Sequence, residues 1–378
     1  MQRIAFLLCV LLLMPAVPAR TQAPTKTSSG KTYAADAEFP LADDHFNALY
    51  GRADGIYAWE HWHGGVRRWQ KRFRSDLEKT LGLDRMRSEM KGFVPTARQL
   101  DSEDLGFATR ERWEVWTEPD VLLPVVVLRP AGATGPLPLM ITPHGHSKNT
   151  ELFAGVYWNE NDRVLAEDGE RNIALQAVRE GFLAIAPTAR AFGKTRTLQD
   201  LKADATSSCH DYMLHDLLIG RTPVGERVWD IMKLIDWALA DLGADPDRIV
   251  VSGHSGGGTA TLYAGAVDTR IAVCIPSGAF SSYEASIGNI RHCECNYLPG
   301  MLNLGNMGDV AGLVAGRNLL IIQGKDDTIF PLEAAKAEFR KTEAIFKAAG
   351  KGACALAVGD GGHRYYKAPA WKFIHEHL

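Results

Sequence analysis

Ser255 stands in a sequence pattern that is typical of a nucleophilic serine. The segment Ser252-Gly253-His254-Ser255-Gly256-Gly257-Gly258 directly follows the apolar run RIVV and precedes the helix-like stretch TATLYAGAV. It matches G-x-S-x-G in a strand–turn–helix setting, where side chains at the glycine positions would collide with neighbouring backbone. The N-terminus of the following helix directs backbone N–H groups at a developing negative charge. The pattern predicts nucleophilic attack on an acyl carbon by Ser255; a glycine-rich structural turn is the alternative.

A serine hydroxyl needs a base that accepts its proton and an acid that orients that base. In the chain order serine, acid, histidine, the acid is expected after the strand NLLIIQG, where Asp326 and Asp327 are adjacent. We predict Asp327 as the acid, because it lies just past the strand end, and Asp326 as a solvated turn residue. His363 follows the last apolar strand in a glycine-rich loop and is the predicted base. The alternatives without a catalytic role are that Asp326 and Asp327 only form a turn and that His363 is a surface residue.

Backbone amides for a tetrahedral oxyanion are expected at the end of an early strand and directly after the serine. The apolar run LPLMIT leads into Pro143-His144-Gly145-His146-Ser147. We therefore predict that the amides of His146 and Gly256 form the oxyanion hole. His144 and His146 could begin a metallohydrolase site, but no further metal ligand follows them at the expected spacing. The sequence thus predicts catalysis without a metal or a cofactor.

The cysteines beyond the N-terminal apolar run are odd in number, so at least one thiol stays unpaired even in an oxidising compartment. Cys293 and Cys295, in HCECNY, look like half of a metal site, but no second ligand pair follows at an ordered spacing. We expect a structural role for them, with one loop disulfide as the simplest form. Their pairing is left open among five residues: Cys209, Cys274, Cys293, Cys295 and Cys354.

The elements that must position these residues are short apolar strands alternating with helices. LPLMIT, GFLAIAP, RIVVSG, IAVCIP, NLLIIQG and ACALAV predict buried parallel strands, and RWEVWTE with VLLPVVVLRP predicts an antiparallel hairpin before them. The class is α/β, with a mostly parallel, doubly wound sheet. The stretch WQKRFRSDLEKTLGL predicts a helical N-terminal extension. We divide the chain into this extension (residues 41–100) and a catalytic domain (residues 101–378), with residues 281–316 as a cap insertion.

The N-terminus has the form of a secretory signal. Arg3 precedes an eleven-residue apolar run, Ile4 to Met14, too short to span a membrane, and small residues follow it. We predict a signal peptide over residues 1–19, cleaved after Ala19 or alternatively Ala23, and a flexible leader over residues 20–40. An exported mature protein, periplasmic or secreted and without a membrane span, follows. The 42 basic and 45 acidic residues form no run of five like charges, which excludes a nucleic-acid partner.

Several motifs together carry a family resemblance over roughly residues 40–378. They are the helix WQKRFRSDLEKTLGL, then PHGH, RTPVGERVWDIMKLIDW, GHSGGG, CNYLPG, GKDDTIFP and GGHRYY. With these motifs the chain resembles the α/β-hydrolase superfamily, in particular its acetyl-xylan-esterase-like and dienelactone-hydrolase-like branch of bacterial serine esterases. The resemblance implies the α/β-hydrolase fold and a triad of Ser255, Asp327 and His363. Gly256 replaces the glutamine of the best-known acetyl xylan esterases, and Ser255 replaces the cysteine of dienelactone hydrolases, so it implies a mechanism rather than one substrate.

These observations favour a secreted serine carboxylesterase that hydrolyses esters through an acyl-enzyme, with a small molecule or an acetylated polysaccharide as substrate. Aromatic residues that could stack on sugars are Tyr157, Trp158 and the group Tyr57, Trp59 and Trp62, although such rings more often pack in the core or at a rim. A prolyl-oligopeptidase-like serine peptidase and a non-catalytic binding protein on a hydrolase fold are the alternative functions. The oligomeric state is left open.

Overall fold

The computed structural model describes residues 25–26, 32–33, 41–147 and 150–378. The predicted signal peptide (1–19) lies outside the described residues, as does most of the predicted leader (20–40). Contacts divide the chain into two units, one ending at Arg52 and one from Ala53 to Leu378. The described part of the first contains a two-residue antiparallel pair, β1 (Thr25–Lys26) and β2 (Thr32–Tyr33), and helix α1 (Ala42–Tyr50). None of the described helices is long and apolar enough to cross a bilayer.

Two helices precede the sheet, α2 (Val66–Leu81) and α3 (Leu83–Glu89). Helix α2 buries Trp69, Phe73, Leu77 and Leu81, which recur every four residues and therefore line one face. Gly82 ends α2 with φ at 80°, and a Cβ there would lie 2.7 Å from the Gly220 carbonyl oxygen. Only glycine satisfies both the left-handed backbone and this close approach.

Nine strands form one mixed sheet in the order β11-β10-β9-β8-β6-β7-β5-β4-β3. Strands β3, β4, β5 and β7 are joined by antiparallel pairing, and the remaining pairs are parallel. The predicted class, a mostly parallel α/β sheet with an antiparallel N-terminal hairpin, is confirmed. The strands are β3 (Thr96–Asp104), β4 (Ala108–Glu118), β5 (Val121–Pro130), β6 (Leu137–Ile141), β7 (Leu183–Pro187), β8 (Ala244–His254), β9 (Val273–Ser277), β10 (Asn318–Gly324) and β11 (Cys354–Gly359).

Strand β3 departs from the sequence interpretation. The predicted helical extension ended at residue 100, yet β3 begins at Thr96 and pairs along its length with β4. Its sequence, TARQLDSED, is almost wholly exposed because β3 is the edge strand of the sheet. With one solvent-facing edge and exposed faces, it carries no apolar alternation by which a strand is recognised.

Helices cover both faces of the sheet. Alternate residues of β6 separate into two cores: Leu139 and Ile141 pack on the face that also holds α2, and Met140 packs on the other. This double burial explains why the parallel strands are apolar at nearly every position. The helices after the hairpin are α4 (Glu160–Glu167), α5 (Ile173–Arg179), α6 (Leu198–Lys202), α7 (Cys209–Ile219), α8 (Pro223–Asp241), α9 (Gly256–Val267), α10 (Met301–Leu304), α11 (Met307–Gly312), α12 (Leu332–Ala349) and α13 (Lys367–His377).

The carboxyl ends of the parallel strands share one edge of the sheet. The segment after β6, residues 143–147, and Ser255 after β8 emerge there. Asp327 follows β10 and His363 follows β11 at the same edge. Open α/β sheets hold their ligands at this edge, in the crevice outside the strand ends.

Candidate active site

Ser255 occupies a strained turn between β8 and α9. Its φ is 58° and its ψ is −125°, a conformation that non-glycine residues rarely adopt. Its amide donates to the Ser277 carbonyl oxygen of β9 at 2.8 Å, which ties the turn to the sheet. A Cβ at Gly253 would lie 2.5 Å from the Gly257 oxygen, and one at Gly257 would lie 1.9 Å from the Pro143 oxygen. Both glycines are therefore required by the packing of the turn.

Asp327 and His363 are directly paired. The Nδ1 atom of His363 lies 2.8 Å from Oδ2 of Asp327. The other oxygen, Oδ1, accepts the amides of Ile329 at 2.9 Å and Phe330 at 3.1 Å. Burial raises the pKa of Asp327, but the hydrogen bond and positive charge of His363 together with these two amides outweigh it, and the net pKa is lowered. The carboxylate is thus held ionised against the imidazole.

Asp326, the alternative acid, is placed differently. Its side chain is exposed and its amide donates to the Gly361 carbonyl oxygen at 3.0 Å. This bond joins the loop after β10 to the loop that holds His363. Of the two aspartates, Asp327 is therefore the one beside the imidazole.

The imidazole of His363 lies beside the turn that presents Ser255. A Cβ on Gly278, which follows the acceptor of the Ser255 amide, would lie 3.1 Å from Cε1 of His363. The loop is fixed from behind by Arg171, whose Nη2 donates to the His363 carbonyl oxygen at 2.9 Å. Ser255 and His363 line the same cavity. The structure thus brings Ser255, Asp327 and His363 to one place.

The two histidines after β6 point in different directions. The amide of Ala189 donates to Nε2 of His144 at 3.0 Å, so Nδ1 carries the proton and donates to the Gly145 oxygen at 2.6 Å. Burial lowers the pKa of His144 to about 4. His146 is exposed, and its ring would lie 3.1 Å from a Cβ on Gly256. His144 is therefore a neutral anchor, and the backbone between the two histidines runs beside the serine turn.

Gly145 explains the close approach of this segment to the serine. A Cβ at Gly145 would lie 2.9 Å from both the His254 carbonyl oxygen and the Ser255 Cβ. Of the two residues predicted for the oxyanion hole, Gly256 directly follows Ser255 at the start of α9, and the ring of His146 lies beside Gly256.

Similarity to known proteins agrees with this geometry. The model of the Abhydrolase family matches residues 64–279, more than half of the chain. The chain belongs to the Abhydrolase family. It is 25% identical over 283 residues to "Putative hydrolase YtaP" of Bacillus subtilis, covering 71% of this chain and 88% of that protein.

Solved structures share the fold of this Abhydrolase family member at lower identity. A "putative acetyl xylan esterase" of Bacteroides fragilis has a TM-score of 0.66 at 20% identity, covering 92% of this chain and 86% of that chain. A glucuronoyl esterase from Solibacter usitatus has a TM-score of 0.58 at 14% identity, covering 93% and 96%. The family match and the sheet confirm the resemblance to α/β-hydrolases.

A cavity of about 1150 Å³ opens over Ser255. Residues 290–293 reach it from the predicted cap segment, and Trp158, which is 70% exposed, stands at its rim. Tyr57 instead is buried in the main core, against Phe73, and Trp59 and Trp62 pack beside it. Core packing, the favoured interpretation for Tyr57, Trp59 and Trp62, is therefore what the structure shows, and none of these three rings lines the cavity. Tyr157 packs against the second core.

Two features near the cavity were missed by sequence reasoning. His254, next to Ser255, is buried with its ring centroid 4.6 Å from that of His363. Burial first, then the charges of His363 and Arg171, hold its pKa well below the usual value. The described cysteines are all free thiols, so the expected loop disulfide is absent, and three of them lie beside His146. The sequence indicated only one half of this cluster, Cys293 and Cys295, because His146 and Cys209 are far from them in the chain.

Proposed function

We propose that this protein is an exported serine carboxylesterase that hydrolyses its substrate through an acyl-enzyme. The observation that carries the proposal is the 2.8 Å pair of Asp327 and His363 beside a serine held at φ 58° in a large cavity. Each part of this arrangement is what nucleophilic acyl transfer needs: a nucleophile that lines the cavity, a base and an oriented acid.

In the proposed mechanism, Nδ1 of His363 keeps its proton in the bond to Asp327, so Nε2 accepts the proton of the Ser255 hydroxyl. Oγ then bonds to the ester carbonyl carbon, and the carbonyl oxygen becomes an oxyanion that the amides of His146 and Gly256 stabilise. Collapse breaks the ester C–O bond, and the imidazolium returns the proton to the leaving alcohol. Water attacks the acyl-enzyme by the same steps and releases the acid and free Ser255.

We propose an acylated carbohydrate as the substrate class. The wide cavity accommodates a group larger than a simple alkyl ester, and Trp158 offers an exposed ring face at the rim. Its indole N–H donates to Glu151, which fixes the ring orientation. The structural neighbours named as acetyl xylan and glucuronoyl esterases support the same class.

The proposed location is outside the cytoplasm. The support is the basic start, the eleven-residue apolar run and the small residues at the predicted cleavage site. N-terminal sequencing of the protein recovered from the producing cells tests this directly. A mature N-terminus after Ala19 or Ala23 supports export, and an intact N-terminus contradicts it.

The function is tested with wild type and Ser255→Ala on p-nitrophenyl acetate and acetylated xylan. We expect turnover of both by the wild type and a loss of at least about a thousandfold in the variant. Trp158→Ala is the matched control for the substrate: it should raise the KM for acetylated xylan and leave p-nitrophenyl acetate hydrolysis unchanged. Equal effects of Trp158→Ala on both substrates would contradict a contact between Trp158 and the carbohydrate. An inactive wild type would contradict the proposed esterase activity.

A further inference from the structure

A compact cluster of potential metal ligands lies beside the cavity. Nε2 or Nδ1 of His146 and the Sγ atoms of Cys209, Cys293 and Cys295 all lie within 4.8 Å of one another. The Sγ atoms of Cys293 and Cys295 are 3.4 Å apart, and Sγ of Cys295 lies 3.3 Å from Nε2 of His146. The four residues come from three segments: the loop after β6, the start of α7, and the turn at residues 293–296.

We propose that His146, Cys209, Cys293 and Cys295 bind one zinc ion in a tetrahedral Cys₃His site. Zinc bonds of about 2.3 Å to sulfur and 2.0–2.1 Å to nitrogen give ligand–ligand distances of roughly 3.5–3.8 Å in a tetrahedron. The Cys293–Cys295 and Cys295–His146 distances differ from this range by a few tenths of an ångström, and none of the other distances exceeds 4.8 Å. Side-chain rotations that shift the ligand atoms by about 1 Å or less therefore close the site around the ion. Thiolate and imidazole are also the donors that zinc prefers.

The charge around the cluster supports a thiolate-bound cation. Arg227 is buried and reaches two of the thiols, with Nη1 3.2 Å from Sγ of Cys295 and Nη2 3.6 Å from Sγ of Cys209. Within the described part of the chain, no carboxylate forms an ion pair with this guanidinium. A buried unpaired charge is strongly unfavourable. Three thiolates and Zn²⁺ carry a net charge of −1, which Arg227 neutralises.

The same charge argues against a disulfide as the partner of Arg227. A disulfide between any two of the three cysteines carries no charge and leaves one thiol over, so the guanidinium would lack its counterion. All three are free thiols in the structure. Zinc coordination uses all three and the histidine at once, with no fourth position left open for water. Such closed sites are structural rather than catalytic.

The proposed site connects the cap segment to the loop beside the nucleophile. His146 contributes its ring to the cluster, and the preceding residue, Gly145, packs directly against Ser255. Cys293 lines the cavity. Bound zinc would therefore fix the position of the predicted oxyanion amide and one wall of the pocket. This consequence for turnover rests on the proposed function, whereas metal binding does not.

The test is metal stoichiometry in the full-length protein. The reduced protein is stripped with a chelator, given one equivalent of Zn²⁺ and desalted, and bound metal is measured by mass spectrometry. We expect one zinc per chain in the wild type. Cys295→Ser should weaken binding by more than about a hundredfold, since even changes around metal ligands cost 10–100-fold. Cys354→Ser is the matched control, because Cys354 lies in β11 outside the cluster, and it should bind one zinc.

Cobalt provides a readout that needs no variant. Co²⁺ added to the stripped wild type should give the intense visible bands of a tetrahedral ion and a near-ultraviolet thiolate charge-transfer band. Zinc should then abolish both. Absence of stoichiometric zinc in the reduced protein, a weak octahedral cobalt spectrum, or a disulfide among these three cysteines in the protein as isolated overturns the proposal. An inactive esterase that binds one zinc would refute the proposed function and leave the metal site standing.

Discussion

At the scale of single residues, the acid is the sharpest assignment to test. Asp327→Asn keeps the size of the side chain but removes the charge that orients and stabilises the imidazole, so kcat on p-nitrophenyl acetate should fall by about 10⁴-fold. Asp326→Asn is the matched control, because its exposed side chain does not contact His363, and it should stay within a few-fold of wild type. Comparable losses in the two variants would contradict the assignment.

The buried imidazole of His144 should make the stability of the protein depend on pH. Burial depresses its pKa from 6.5 in the unfolded chain to about 4 in the folded protein, so the unfolded state binds more protons between these values. Its contribution is therefore complete above pH 6.5 and is lost as the pH falls toward 4, about 3 kcal/mol in all.

The His144 contribution is measured by urea unfolding of wild type and His144→Gln at pH 7 and pH 4.5. Glutamine does not titrate, so the variant should lose less unfolding free energy between the two pH values than wild type does. An equal pH dependence would mean that His144 is not held neutral by burial. The comparison removes the effects of all other titrating groups, which both proteins share.

Local sequence patterns identify candidate site residues better than they identify which residues contact one another. Ser255, Asp327 and His363 are each marked by a local signal, a strand end followed by glycine or a turn, and this signal is enough to nominate them. In the cluster of His146 with the cysteines, only the close pair Cys293 and Cys295 is marked in this way. Cys295 lies 149 positions from His146, and only the tertiary structure brings the two together.

At the scale of elements, the loop after β6 must pack against the start of α9 without an intervening side chain. Gly145→Ala places a methyl group 2.9 Å from the Ser255 Cβ, so the loop or the serine must move. Displacements of about 1 Å at reacting groups cost about a hundredfold, and turnover should fall by this factor. Gly65→Ala is the control, because nothing lies within 4 Å of a Cβ there and its φ is −72°. Unchanged turnover in Gly145→Ala would contradict the close packing.

Strands were predictable from sequence where burial dictates composition. The parallel strands and the hairpin of β4 and β5 are apolar or alternating because one or both faces are covered. Strand β3 was missed because its pairing with β4 is specified by the partner and not by its own polar side chains. The predicted boundary at residue 100 failed for this reason.

At the scale of the whole molecule, a buried ion network joins the sheet to the helices beside it. Arg190, after β7, is 3% exposed and contacts three carboxylates: Glu118 at 2.5 Å, Glu226 at 3.1 Å and Asp230 at 2.8 Å. Arg190→Met leaves buried carboxylates without this cation and should reduce the free energy of unfolding by about 3–5 kcal/mol. Arg163→Met, which breaks an exposed network with Glu160 and Glu167, should cost less than about 1 kcal/mol. Equal midpoints of urea unfolding would contradict this difference.

The fold class could be predicted from the order of strands and helices in the sequence, whereas the Arg190 ion network could not. Glu118 ends β4, Arg190 follows β7, and Glu226 and Asp230 lie four residues apart on α8. In the sequence they are ordinary charged residues, a type that is common on surfaces. Their burial depends on how the helices close over the sheet, a property of the complete tertiary structure.

The strained backbone of Ser255 lowers the stability of the folded protein, whereas the proposed reaction needs its hydroxyl. A residue held at φ 58° and ψ −125° costs of order 1–3 kcal/mol, and the rest of the fold must offset this. Glycine adopts such angles freely, so Ser255→Gly should raise the free energy of unfolding and abolish activity. Ser255→Ala keeps the backbone strain and loses only the hydroxyl. Selection for durability alone would drive this position toward glycine. With Ser255 as the proposed nucleophile, the strain at this position is a cost in stability that turnover requires.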